Sequence, residues 1–385
     1  MEAFFIQTER QKEIVEKIQQ YIPIFQERER SSEQLGSFSF DNVNDLKKIG
    51  YTKLPLEDLS TYELVLFQEN IARGDGSTAL GIGWHVSTLL DLQRDNKWPK
   101  EIYHNLCERV KEGALINYVL SERGKGSPTR GGRLSTRAHR VKDGWEISGR
   151  KSFASMAPVL DYLIVSAQVE EENEESLFLI PSHVEGVRVD EVWDSVALRG
   201  TASHDIVLNR VTVPDSYLVE KKPIAALENS TGGFLHIPAC YLGIAQAARD
   251  YALSFASNYK PNSLNHHSIR TVPHIQMKIG QIELQLAQAR HLLYSVAKKY
   301  DELKDKQSLY SHLAATKYTV TNHAISIVDV AMRIVGARSL SEKNPLQKYY
   351  VNVRAGLHNP PADDEILSFL AEKAQFKELT EAIKV

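Results

Sequence analysis

The chain has 385 residues and carries 46 Lys and Arg against 49 Asp and Glu, a formal charge of −3. That length supports a large core in two or three structural units. The near balance of charge excludes nucleic acid or an anionic membrane as partner, because both require a concentrated basic face.

Cys107 and Cys240 are too few for a disulfide framework and read as buried, reduced thiols of a cytoplasmic protein. Met1 to Arg10 shows no basic region leading into a long apolar run, so no secretion signal is expected. No stretch reaches the ~20 apolar residues of a transmembrane helix.

Residues 1–115 read as an N-terminal helical domain. Ile14, Ile18, Tyr21, Ile22 and Phe25 recur near a 3.6-residue period and predict a helix over Thr8–Phe25. Asp58 or Ser60 is placed to cap a second helix over Thr61–Arg73. From Arg73 to His85 small residues dominate, which fits a close helix–helix contact. Trp84 and His85 are alternatively placed to line a pocket and touch substrate.

Residues 116–225 read as a β domain. Ala138–Ser148, Tyr162–Gln168, Glu175–Ile180 and Val187–Val189 are short β-branched runs, and His204–Pro214 alternates like a half-buried strand. Glu170–Glu175 reads as a solvated acidic turn. Residues 226–385 return to helical periods at Tyr241–Ser257, Val272–Lys299 and His312–Ile334. A long loop is expected over Lys260–Arg270, with Pro261 and the adjacent His266 and His267. The helix–β–helix order suggests a mainly α protein with a β domain packed on a helical bundle.

Dinucleotide-binding and phosphate-loop glycine patterns are absent, as are His-Glu-x-x-His and Gly-x-Ser-x-Gly. Side chains of the paired His266 and His267 would diverge on a regular element, so no metal is expected.

The ordered set Ser121-Glu122, Gly126-Ser127, Gly149-x-Lys151-x-Phe153-x-Ser155 and Val211-x-Val213-Pro214 resembles the acyl-CoA dehydrogenase superfamily of flavoproteins. The resemblance runs over almost the whole chain, including the tail Pro345–Arg354. It implies an acyl-CoA dehydrogenase-like fold: an N-terminal helical domain, a middle β-barrel-like domain and a C-terminal four-helix bundle. It also implies FAD held by a loop that includes Tyr118 and Ser121. Phe153 would cover one face of the ring system, and Ser155 would donate a hydrogen bond near flavin N5. Ser127 would lie near an acyl thioester. The family implies a dimer of dimers with flavin held across subunits, and either an electron-transfer flavoprotein or a flavin reductase as redox partner.

Two departures bear on the reaction. The family's Arg-x-x-Phe-Gly-x-Pro is missing after the first C-terminal helix. Lys260 or Arg270 would have to supply that charge, and FMN becomes conceivable. The usual catalytic Glu is also missing, with Pro360 near its place. That leaves Asp363 and Asp364 as substitute bases for α,β-dehydrogenation of an acyl-CoA. The tail Arg354-x-x-Leu-His358-Asn-Pro instead resembles the flavin-dependent monooxygenase branch, where a His near this point manages a proton. Arg199–Asp205 resembles a loop of that branch and adds His204 as a substrate-site candidate.

Overall fold

The structure, a computed structural model, describes residues 2–35, 38–94, 97–124, 134–172, 174–221 and 232–382. The N-terminal region contains α1 (Glu9–Leu35), α2 (Phe40–Lys48), α3 (Thr61–Gly74), α4 (Gly76–Arg94) and α5 (Lys100–Lys111). Helix α1 runs past its expected end at Phe25 and takes Pro23 into its interior. An interior proline costs about 3 kcal/mol. Here Ile18, Ile22 and Phe25 are buried on both sides of it, and that burial on α3 outweighs the loss.

Helix α3 begins at a capping box in which Ser60 and Glu63 satisfy each other's backbone donors. Asp58 takes no part and sits in a left-handed turn instead. Asp301, far along the chain, accepts from the Thr61 and Tyr62 amides at 2.9 Å each, so one carboxylate faces the positive end of the helix.

The β domain contains β1 (Ile116–Val119), β2 (Arg137–Val141), β3 (Gly144–Ala154), β4 (Tyr162–Val169), β5 (Glu174–Pro181), β6 (Val187–Asp190), β7 (His204–Pro214) and β8 (Leu218–Lys221). These form one sheet in the order β6-β7-β3-β2-β4-β5-β8, with β1 alongside β4. The expected single strand Ala138–Ser148 is a hairpin, with Val141 paired to Gly144 across Lys142-Asp143. The Asp-Gly step was the signal for that turn. β1 and β2 share one edge of β4: β1 pairs at residues 162–165 and β2 at 168–169. Of the acidic run, Glu170 to Glu172 form the turn, while Glu174 and Glu175 already belong to β5.

The C-terminal region contains α6 (His236–Asn258), α7 (Pro273–Glu302), α8 (Tyr310–Val335), α9 (Pro345–Asn352) and α10 (Asp363–Ala382). Helices α6, α7 and α8 pack on one another, and α3 and α4 pack on α6, so one core runs through both helical regions. The small residues of α4 make this approach possible. A Cβ on Gly76 would lie 2.6 Å from Ile244 Cδ1, and one on Gly83 would lie 2.3 Å from His236 Nδ1, both on α6. No described helix is long and apolar enough to cross a membrane.

Candidate active site

The site grows from the end of β3. Pairing of β3 with β7 slips between Lys151/Ile206 and Ala154/His204, leaving two β3 residues opposite one of β7. Such a bulge re-aims the side chains that follow it. Phe153 takes φ 58°, a backbone region that non-glycine residues seldom adopt, and presents its ring at 64% exposure. A large apolar ring held outward by backbone strain suits a flat ligand. The Trp193 ring meets Phe153 edge-on with centroids 6.1 Å apart, and its buried indole N–H has no hydrogen-bond partner.

One step further, Ser155 is buried and joins a line of hydroxyls. Its Oγ lies 2.9 Å from Ser203 Oγ, which lies 2.8 Å from Thr201 Oγ1. Thr201 donates to the Leu198 carbonyl at 2.9 Å, and the Met156 amide donates to the Thr201 carbonyl at 2.9 Å. The Leu198 amide donates in turn to Asn352 Oδ1 at 2.8 Å, tying this loop to the end of α9. Asn117 Nδ2 reaches the Ser155 carbonyl at 3.2 Å, while its own buried Oδ1 has no partner. The strained ring, the orphan indole N–H and the orphan Asn117 oxygen are what a planar, polar cofactor such as flavin would satisfy. An unmet buried donor or acceptor costs about 1–3 kcal/mol.

The loop leaving β1 is fixed from below. Lys151, fully buried, places Nζ 2.7 Å from Glu122 Oε1 and 3.1 Å from Ser166 Oγ. Glu122 also accepts from the Ser135 and Thr136 amides at 2.5 and 3.1 Å. Burial opposes ionisation of Glu122, but Lys151 and those amides outweigh it and hold its pKa at about 2. One carboxylate thus ties Ser135 and Thr136 to the residue after half-buried Ser121, whose carbonyl accepts from the Ser152 amide at 2.9 Å. Ser127 lies outside the described residues.

Several candidates sit elsewhere. Tyr118 packs with Ile116 and Leu120 against Leu89, Ile102 and Leu106, on the strand face opposite Asn117. Asn117, not Tyr118, therefore faces Ser155. Burial first, then the Asp91 and Glu220 carboxylates, push the Tyr118 phenol up. His85 is fully buried as a joint: Nε2 lies 2.9 Å from the Thr52 carbonyl and Nδ1 accepts from the Ile116 amide at 3.1 Å. Burial lowers its pKa to about 4, so it stays neutral. Trp84, half-buried, meets His236 edge-on at 4.6 Å. His236 is fully buried, and both its ring nitrogens lack partners. Nothing in the sequence distinguishes His236 from any other helix-start residue. His204 lies on β7 with Nδ1 accepting from the Trp193 amide at 3.2 Å, so it braces the aromatic shelf, and burial lowers its pKa.

The tail carboxylates differ from each other. Asp363 opens α10 and receives Lys317 Nζ at 2.9 Å and Asn322 Nδ2 at 2.8 Å. Lys317 is fully buried, and that burial lowers its pKa despite Asp363. Asp364 is exposed in the first turn of α10. The Asn359 carboxamide accepts from the buried Tyr241 hydroxyl. His358, one residue earlier, is exposed, with its amide bonded to the Ala355 carbonyl at 3.0 Å. Lys260 and Arg270 are exposed between α6 and α7. Along α6 the 18 residues from Tyr241 to Tyr259 span about 27 Å, so these cations lie far from Tyr241 and its partner Asn359 in the same chain.

Two family models match the chain: the acyl-CoA dehydrogenase middle domain over residues 117–211 and the acyl-CoA dehydrogenase C-terminal domain over 228–357. The chain belongs to the acyl-CoA dehydrogenase family. It is 45% identical over 380 residues to YdbM of Bacillus subtilis (strain 168), which carries a provisional acyl-CoA dehydrogenase name; the match covers 97% of this chain and 99% of that one. Among solved structures it resembles butyryl-CoA dehydrogenase from Megasphaera elsdenii, with a TM-score of 0.86 at 18% identity, covering 96% and 99% of the two chains. It also resembles KijD3 in complex with FMN and dTDP-3-amino-2,3,6-trideoxy-4-keto-3-methyl-D-glucose, with a TM-score of 0.84 at 22% identity over 96% and 94%. At these identities both structures speak for the fold alone.

Proposed function

We propose that this acyl-CoA dehydrogenase family member is a reduced-flavin-dependent monooxygenase that acts on a small molecule and receives its reduced flavin from a separate reductase. The observation that carries this reading is the state of the tail carboxylates. Asp363 is engaged by Lys317 and Asn322, Asp364 is exposed on the first turn of α10, and Asn359-Pro360 supplies no carboxylate. A base for α-proton removal must be within hydrogen-bond reach and free to take the proton.

Phe153, Trp193, Ser155 and Asn117 would hold the flavin ring, FMN or FAD. When bound, reduced flavin would supply the two electrons for transfer of one atom of dioxygen to the substrate, the other leaving as water. Phe153 and Trp193 would exclude water from one face. His358, beside Asn359 and the Tyr241 anchor, would exchange the proton that this step requires. The KijD3 complex, with FMN and an amino-keto sugar nucleotide in a fold of this kind, supports a polar substrate.

The test is to mix the reduced, flavin-loaded protein with oxygenated buffer and follow absorbance. Two-phase reoxidation is expected, with the slow phase accelerated about tenfold or more in His358→Ala. Single-phase reoxidation at the rate of free reduced flavin, identical in both proteins, would end this reading.

An acyl-CoA dehydrogenase working with electron-transfer flavoprotein is the second reading, favoured by the 45% identity to YdbM. In either case the protein is read as a homo-oligomer. Met277 and Leu284 are 77% and 58% exposed on one side of α7, seven residues apart, and fit a second copy. Lys260 and Arg270, too distant from the site of their own chain, are then available to a flavin bound in a neighbour. Native mass spectrometry is expected to find a tetramer, and Met277→Lys/Leu284→Lys to dissociate it. A wild-type monomer would contradict this arrangement.

A further inference from the structure

The hydroxyl line behind Ser155 has a direction. Thr201 Oγ1 lies 2.9 Å from the Leu198 carbonyl oxygen, which can only accept, so the single hydroxyl hydrogen of Thr201 is committed there. Ser203 Oγ, 2.8 Å from Thr201 Oγ1, must then donate to it. Ser155 Oγ, 2.9 Å from Ser203 Oγ, must donate in its turn. All three residues are buried, which keeps bulk water from breaking the sequence. The backbone positions are fixed as well. Met156 holds the Thr201 carbonyl, and Asn352 holds the Leu198 amide. At the end of this line Ser155 has lone pairs to offer and no hydrogen. That reverses the donor role its sequence position suggests.

We propose that the Thr201–Ser203–Ser155 relay makes Ser155 a fixed acceptor toward the flavin ring, so that the protein selects reduced flavin over oxidised flavin. Reduced flavin carries an N–H at N5, which can donate to Ser155. Oxidised flavin has a bare nitrogen at that position, so two acceptors would face each other. The inference rests on the flavin-binding part of the reading above and adds Thr201 and Ser203 as positioning residues. It also explains how a protein dependent on a separate reductase would capture reduced flavin while releasing the oxidised product.

The test measures anaerobic dissociation constants for oxidised and chemically reduced FMN, and for FAD in parallel, together with the midpoint potential of the bound flavin. Wild type is expected to bind the reduced form more tightly. Thr201→Val removes the hydrogen committed to Leu198 and frees Ser203 to donate to Ser155. The preference for reduced flavin should then fall about tenfold, equivalent to a drop of about 30 mV for a two-electron couple. Ser203→Ala should move both quantities in the same direction, and Thr201→Ser should restore them. Wild-type values of preference and potential in both Thr201→Val and Ser203→Ala would overturn the relay while leaving flavin binding intact. A wild-type protein that binds neither flavin would overturn the relay together with the functional reading.

Discussion

Lys151→Met and Glu122→Ala are each expected to lower stability at pH 7 by about 3–5 kcal/mol, because each leaves a buried charge without its partner. The double variant Lys151→Met/Glu122→Leu should recover much of that loss, since an apolar pair of similar volume is often neutral or better. Glu122→Ala has a further consequence. It frees the Ser135 and Thr136 amides, so it should weaken flavin binding as well as stability, whereas the double variant should repair stability only. The pH dependence follows from the depressed pKa of Glu122, about 2, against an ordinary glutamate near 4.3. Between those values the unfolded chain binds the proton and the folded chain does not. The stabilisation, about 3 kcal/mol in full, is therefore present above pH ~4.3 and lost as pH falls toward 2. Urea unfolding of wild type and variants at pH 7 and pH 3 measures this. A Lys151→Met curve that coincides with wild type at pH 7 would refute the pair's role.

Asp363→Asn should cost about 3 kcal/mol, at the low end for a buried ion pair because the carboxylate remains 18% exposed while Lys317 is fully enclosed. The affected contact joins α8 to the start of α10. A second variant separates structure from chemistry. Lys317→Met/Asp363→Leu removes the charge pair together, and it should be stable while retaining the wild-type rate of flavin reoxidation. If Asp363 were the base for α,β-dehydrogenation, wild type would reduce its flavin with an acyl-CoA and the double variant would fold normally without doing so. Thermal melts together with single-turnover rates distinguish the two outcomes.

The order of elements was legible because long helical periods and short β-branched runs leave different imprints. Helix starts were legible where a cap was present, as at Ser60. The small residues of α4 announced a close helix–helix contact, and Gly76 and Gly83 supply it against α6. Other features depended on strand phase and on distant pairing. Whether Asn117 or Tyr118 faces Ser155 is decided by which side of β1 meets α4 and α5, and a four-residue strand does not reveal that. His85 looked like a pocket residue because its type suggests chemistry, yet both its nitrogens are bonded to main chain. Thr201 and Ser203 had a motif around them but no signal of direction, which comes only from the position of the Leu198 carbonyl. Asp363 looked free because Lys317 lies 46 residues earlier, on another helix.

The most direct test of the central claim is anaerobic stopped-flow absorbance of the oxidised, flavin-loaded protein mixed with short-, medium- and long-chain acyl-CoA thioesters. A monooxygenase without a free tail carboxylate leaves the oxidised flavin band intact with every thioester. Rapid bleaching of that band by any one of them would contradict the account and establish α,β-dehydrogenation.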